Sequence, residues 1–282
     1  MTVEALQGNG LASESELFIF ADAAKNAGAV GSVRKVKEYI GGIGGFKTVT
    51  IIEHVQNQGL ARALIEGITR LSSDHGRVIV LEDDVVTSPG FLEYMNSALD
   101  QYGGEDRVMQ VAGHMFSVDI ELEEDALFLP FISSWGWATW ERAWRHFDPL
   151  AGGYDRLLAD SALRRKFDLD GHYKYFRMLQ AQQRGNSESW AIRWYLSVFL
   201  RNGLALYPKK TLAKNIGFDG SGVNCNVSEF DQRDIDRTFR VTRRPKKIEI
   251  SAKAGVVFNS MPVVRPSLRS IRNRVLRALI RR

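Results

Sequence analysis

Apolar residues along the first 115 positions follow two alternating rhythms. Short, largely apolar runs at 17–20 (LFIF), 48–52 (TVTII), 78–81 (VIVL) and 108–112 (VMQVA) read as strands by their length and composition. Between them the spacing turns helical. Val33, Val36 and Ile40 recur on one face, as do Leu60, Leu64, Ile68 and Leu71. Pro89 opens a further helix reaching to about Tyr102, because proline fits the first helical turn. This β-α-β-α-β-α-β order predicts an α/β fold, with a mostly parallel sheet flanked by helices. Ligands of such sheets sit beyond the carboxyl ends of the strands. Asp22, Glu53 and the triplet Glu82-Asp83-Asp84 all follow strand ends, so all are expected on one rim.

After residue 115 the pattern changes. All six tryptophans fall in two segments, SSWGWATWERAW (133–144) and ESWAIRWYLSVFL (188–200). The second predicts a buried helix to about Asn202, followed by a strand at 204–208 (LALYP) and a loop at 217–222 (GFDGSG). No internal repeat or low-complexity linker interrupts the chain. One domain over 1–260 is expected, with halves 1–115 and 116–260 and a tail at 261–282. Within the tail, Leu268, Ile271, Val275, Leu276, Leu279 and Ile280 cluster on one helical face, largely flanked by arginines. Such a helix suits an anionic membrane surface, or packing on the body or a second subunit.

Charge sharpens this division. The total is +5, but 261–282 holds seven arginines and no acid, so the rest of the chain carries −2. A nucleic-acid groove is therefore not expected. No run of about 18 apolar residues occurs, and the N-terminus lacks the basic start and apolar stretch of a signal peptide. Cys225 is the sole cysteine, which excludes an intramolecular disulfide. A cytoplasmic setting is expected, in which the Asn226-Val227-Ser228 sequon has no role, with peripheral membrane attachment open through residues 266–282. The five histidines lack paired spacing, so zinc is not expected. His114, just past the strand at 108–112, either approaches a bound ligand or is a surface or satisfied histidine.

The strongest chemical signal is VIVLEDDVVTSPGF. Three adjacent carboxylates repel one another unless cations or hydrogen-bond donors neutralise them. A hard divalent ion, Mn²⁺ or Mg²⁺, does so through one or two carboxylates plus phosphates. The alternative is an exposed acidic turn.

The strings LEDDVVTSPGFL, SSWGWATWERAW and SWAIRWYLSVFLRNGLALYPKKTL, followed by NIGFDGSG, resemble bacterial glycosyltransferases of the GT-A fold. These are similar to family-2 glycosyltransferases and, more distantly, to the N-acetylglucosaminyltransferase I group. The resemblance runs from about Thr2 to about Asn224. It implies a Rossmann-like GT-A domain in which 1–115 binds a nucleotide-diphosphate sugar and the Trp-rich half receives a glycan or lipid-linked acceptor. It further implies a divalent metal and, usually, inversion at the sugar carbon. By position Asp84 resembles the direct metal ligand, and Asp83 and Glu82 the ribose and nucleotide contacts. Asp22 is similar to the acid contacting base or ribose, and Asn57 opens an N-x-G-x-A stretch near the nucleotide. A helix starting there also favours the donor phosphates.

An inverting transfer needs a general base. Glu188, two residues before Trp190, resembles the acid of that role, where the group usually has aspartate; its alternative role is a helix cap. Asp219 is a second candidate, or merely part of an Asp-Gly turn. Trp135 and Trp137 flank Gly136 and are assigned to the donor-sugar or acceptor pocket, since flat rings stack on pyranose C–H faces. Trp140 with Trp144, and Trp190 with Trp194, have the four-residue spacing of core packing. The resemblance also implies a strand ahead of residues 1–15 (MTVEALQGNGLASES), which open at about the end of the first helix. The first strand is thus expected to be absent and a sheet edge exposed. Two other readings are a sugar-nucleotide nucleotidyltransferase, whose glycine-rich basic N-terminal signature does not occur here, and an inactive carbohydrate-binding scaffold.

Overall fold

The computed structural model describes residues 1–219 and 234–261. The amphipathic tail at 266–282, Cys225 and the 226–228 sequon lie outside them. Asp219 ends a short 3₁₀ turn, Gly217–Asp219, and its side chain lies outside the description as well.

Helix α1 (Thr2–Gln7) leads into β1 (Glu16–Ala21), α2 (Val30–Gly41), β2 (Thr48–Glu53), α3 (Leu60–His75), β3 (Arg77–Val80), β4 (Val85–Thr87), α4 (Phe91–Gln101) and β5 (Val108–Ala112). The strand and helix rhythm of the first 115 residues is therefore present, and α4 starts two residues after Pro89. The second half adds β6 (Ala126–Leu129), β7 (Trp137–Trp140), α5 (Glu141–Trp144), α6 (Tyr154–Ala159), α7 (Ser161–Phe167) and α8 (Tyr175–Gln183). It finishes with α9 (Trp190–Leu200), β8 (Leu204–Pro208), β9 (Ala213–Asn215) and α10 (Ala254–Ser260).

The pairing corrects one expectation: the sheet is mixed, not mostly parallel. Five strands run in the order β3-β7-β5-β8-β6, and among their contacts only β5 with β8 is parallel. The parallel pair β1-β2 forms a separate two-stranded sheet, and β4-β9 a third. The tryptophan segment causes the difference. Its strand β7 returns between β3 and β5 in the antiparallel sense, where a simple β-α-β repeat would have kept neighbours parallel. Both β1 and β3 end as edges of their sheets, with α3 running along both. Gly67 of α3 lies so close to Phe20 of β1 that an added Cβ would stand 3.0 Å from the ring.

Burial on both faces explains the apolar runs. Along β8, Leu204 and Leu206 join one core with Phe91, Tyr94 and Met95 of α4. Ala205 and Tyr207 point the other way, into a core with Ile192, Tyr195 and Leu196 of α9. The same alternation holds in β6, where Phe128 faces one side and Leu127 and Leu129 the other. A strand covered on both faces has no polar side to show in sequence. The C-terminal segment straps the far edge. Asp125 accepts from Thr242 and Arg243 backbone N–H groups, Ser251 N–H donates to Phe128 O, and Val257 of α10 is fully buried.

Gly113 joins three strands at the rim. Its N–H donates to Gly136 O at 2.7 Å, and its carbonyl accepts from Leu212 and Ala213. An added Cβ would lie 2.6 Å from the Phe91 ring and 2.7 Å from Gly136 O. The clash is partly with backbone, so side-chain rotation does not relieve it. Gly113→Ala is expected to destabilise the protein by about 2 kcal/mol, measured by urea unfolding; unchanged stability would contradict this packing.

Candidate functional site

Strand β3 ends at Val80, and 81–84 turn the chain into β4, with Val85 N–H donating to Glu82 O at 3.2 Å. The turn is clamped from the opposite strand. Val85 pairs with Asn215, Ile216 N–H donates to Asp84 O at 2.7 Å, and the Asn215 side chain hydrogen-bonds the Asp84 carboxylate. Gly217 then passes directly against Asp84 Oδ2, in a space that a Cβ would fill. On the other side Thr2 Oγ1 donates to Asp83 O at 2.6 Å.

The three acids differ in setting. Asp83 is exposed. Asp84 is pushed above the usual carboxylate range by burial and by the Asp83 charge, against the pull of Asn215. Its Oδ1 is buried with no hydrogen-bond partner. Glu82 is pushed up to about 7, first by burial and then by the charges of Asp84 and Asp83, while an indole N–H from Trp190 favours its ionised form. Trp190 is itself held from behind, stacked on Trp137 with ring centroids 5.3 Å apart and planes 15° apart.

The two tryptophans flanking Gly136 consequently part ways. Trp137 has no exposed surface and sits among Trp144, Trp190 and Trp194. Its ring meets the core, one layer behind Glu82. Trp135 is half-buried and turns to the rim, edge-on to His114 at 4.5 Å and to Phe218 at 5.4 Å. Gly136 makes the reversal with φ of +64°, a left-handed conformation that side chains disfavour. His114 is buried, its imidazole near Ala213 O and Thr211 Oγ1, and burial lowers its pKa to about 4. Trp140 and Trp144 pack in the core as their spacing suggests, as does Trp194. Trp190, which shares that spacing, packs and also reaches an acid.

Asp22 and Asn57 come together in a second group, on the β1-β2 sheet. The Asp22 carboxylate accepts 2.9 Å bonds from Gln58 N, Gly59 N and Asn57 Nδ2, and a further bond from Ala23 N. Burial raises its pKa, but the amides of Gln58, Gly59 and Ala23 outweigh burial and hold it below the usual range. His54 Nδ1 stands 3.4 Å away, an ion-pair distance without hydrogen-bond alignment. The start of α3, expected to face donor phosphates, is thus already met by a carboxylate of the chain itself. Among the described residues no hydrogen bond or ion pair links this group to the acid turn.

Glu188 is exposed in the loop between α8 and α9, two residues from Trp190. The capping role belongs to its neighbour: the Ser189 hydroxyl accepts from Ile192 N–H. That leaves the Glu188 carboxylate out of the helix start, near Arg193, whose guanidinium feels its charge. Two contributors escaped the sequence reading as individuals, Asn215 and Gly217. Both lie in the string NIGFDGSG. Among the described residues no three His, Cys, Asp or Glu side chains converge as a preformed metal cage. No helix among them is long and apolar enough to cross a membrane.

Residues 18–118 match the family described as glycosyl transferase family 2. The stretch runs from β1 past β5 and takes in Asp22, Asn57, the acid turn and His114. The match supports glycosyl transfer as the activity of this chain, on an α/β fold consistent with GT-A. No curated protein matches the chain.

Glu82 gives the turn a measurable signature. In metal-free buffer the folded protein holds its proton up to about pH 7, whereas an unfolded glutamate releases it near 4.5. The folded state binds more protons in that window, so this stabilisation is complete below about 4.5 and is lost as pH rises through about 7. Glu82→Gln is expected to flatten that slope and to raise stability at pH 8 by on the order of 2 kcal/mol. Thermal unfolding from pH 4.5 to 8 tests this; identical slopes for the two proteins refute it.

Proposed function

We propose that this protein is a metal-dependent glycosyltransferase that takes a sugar from a nucleoside-diphosphate donor and passes it, with inversion, to a glycan or lipid-linked acceptor. The observation that carries this reading is the buried Asp84 Oδ1, left without a partner beside Glu82 and Asp83. A buried carboxylate oxygen facing no donor is costly unless a cation takes it. The residues present fit Mn²⁺ or Mg²⁺: Asp84 would be the ligand, and donor phosphates would complete the shell, since these ions need few protein ligands. When bound, such an ion would supply positive charge against the departing diphosphate.

The remaining roles belong to the chain. Asp83 and Glu82 face the ribose and nucleotide side. Asp22 and Asn57 form the base or ribose contact, the Asp22 carboxylate already ionised by its amide partners. Trp135 provides a ring face for the sugar, whereas Trp137 serves from behind by fixing Trp190. Glu188, exposed and not engaged in capping, takes the proton from the acceptor hydroxyl. That oxygen bonds to the anomeric carbon, and the diphosphate leaves with the electron pair of the broken C–O bond. The sugar moved is a hexose or N-acetylhexosamine. The distant similarity to the N-acetylglucosaminyltransferase I group, and membrane contact through 266–282, belong to the same proposal.

The test follows nucleoside diphosphate release from a panel of nucleotide sugars with Mn²⁺. Wild type is expected to release it in a metal-dependent manner and Asp84→Ala at least tenfold more slowly. Glu188→Gln is expected to lose about 10²–10⁴-fold in transfer rate. No metal-dependent release by the folded protein sinks the transferase, and full activity in Glu188→Gln moves the base elsewhere. Gly217→Ala, whose methyl would occupy the space of the Asp84 carboxylate, is expected to weaken Mn²⁺ binding about tenfold. Unaltered Mn²⁺ affinity in a calorimetric titration would remove Gly217 from the site.

A further inference from the structure

The loop that carries Glu188 is fixed at its backbone and free at its acid. Where α8 ends, Asn186 N–H donates to Ala181 O at 2.9 Å. Ser189, the residue after Glu188, is engaged from both flanking helices. Its N–H donates to the Gln182 side chain at 2.6 Å, and its carbonyl accepts from Arg193 Nε at 3.1 Å. Arg193 also reaches the turn at 148–152, where Nη1 donates to Pro149 O at 3.2 Å. One arginine thus joins that turn, the Glu188 loop and the start of α9. Trp190 follows at once and hydrogen-bonds Glu82, so this mount stands next to the acid turn.

Arg193 is only 9% exposed, and its remaining nitrogen, Nη2, is buried with no hydrogen-bond partner. A guanidinium withdrawn from water with one arm unengaged is costly unless an acceptor reaches that arm. Its two partners are uncharged carbonyls, and the anion whose charge it feels is Glu188. Glu188 is exposed, and exposed side chains change rotamer quickly. A carboxylate has two oxygens, so one can rest on a guanidinium while the other works. Catalytic bases are oriented by a third group in this way. We infer that Arg193 is the positioning residue of the base. It mounts the loop through Ser189 O and offers Nη2 to one oxygen of Glu188, which aims the other oxygen at the acceptor hydroxyl. The inference rests on Glu188 being the base and adds the group that aims it. The hydroxyl proton passes to Glu188, and the guanidinium keeps its own.

The full chain is assayed with Mn²⁺, UDP-, GDP- and dTDP-hexoses as donors and octyl glycosides as acceptors. The readout is nucleoside diphosphate released above the acceptor-free rate. Arg193→Gln keeps a donor for Ser189 O and drops the charge, whereas Arg193→Lys keeps the charge without the planar fork. Arg193→Gln is expected to lower kcat on the order of tenfold or more at unchanged donor KM. Arg193→Lys is expected to fall between it and wild type. A merely structural arginine would cost the same in any background; one that acts through Glu188 would not. Added to Glu188→Gln, Arg193→Gln is therefore expected to change the remaining rate by less than about twofold. An equal loss in both backgrounds overturns the inference, as does full activity in Arg193→Gln or no advantage of Arg193→Lys over it. A raised donor KM at unchanged kcat also overturns it, by assigning Nη2 to the donor phosphates. Melting temperatures accompany every variant, and if Arg193→Gln does not fold, the same cycle is run with Arg193→Lys. Glu188→Gln alone separates the two levels. Full activity there defeats the base reading, whereas loss there without loss in Arg193→Gln defeats only the role of Arg193.

Discussion

Three neighbouring carboxylates at the end of a strand repel one another, and the architecture of the rim is organised around that repulsion. Each acid meets a different answer. Asp83 stays in water, Glu82 is buried far enough to hold a proton near neutrality and leans on an indole, and Asp84 is gripped by Asn215 and the backbone of 216. No answer is local to the turn. The grip on Asp84 needs β9 to pair with β4, and β9 is positioned through Gly113 and Thr211. The indole needs α9 to start at Ser189 and Trp137 to lie flat behind it. The tryptophan-rich half therefore acts on the acids from beneath, through shape, more than by lining the rim.

The second polar group obeys a different logic. Asp22 spends its charge on amides at the head of α3, so the β1-β2 unit reaches the rim with its own anion in place. A carboxylate that accepts from Asn57 and three backbone N–H groups is also a fixed acceptor surface, suited to orienting hydroxyls more than to binding phosphate.

Much of this was legible in the residues. The strands of the first half announced themselves as apolar runs, most fully in β5, which is buried along its whole length, and α3 as a stripe because one face is covered. The acid turn was legible because acids rarely follow four apolar residues without a purpose. Pairing partners were not legible: VIVL has no feature that says its neighbour is WATW in the antiparallel sense, and a sheet assembled from distant segments follows tertiary packing that periodicity does not encode. The same limit hid the difference between Trp135 and Trp137. They are two residues apart, and Gly136 between them turns with a positive φ; that one torsion sends one ring to the rim and the other to the core. Asn215 and Gly217 escaped for a related reason, since their importance is contact with a residue some 130 positions earlier.

The order of strands in the five-stranded sheet has a temporal consequence. Strand β8 lies between β5 and β6, yet it leaves the ribosome after both, and the segment that straps β6 comes later still. During synthesis β5 and β6 therefore wait with a vacancy between them, and the acid turn waits for β9 to clamp it. Contacts of such wide sequence separation form slowly and leave open edges meanwhile. The protein completes its rim and its sheet together, once residues 204–215 have emerged, so a nascent chain arrested before residue 204 carries every acid of the turn without the strand that clamps Asp84.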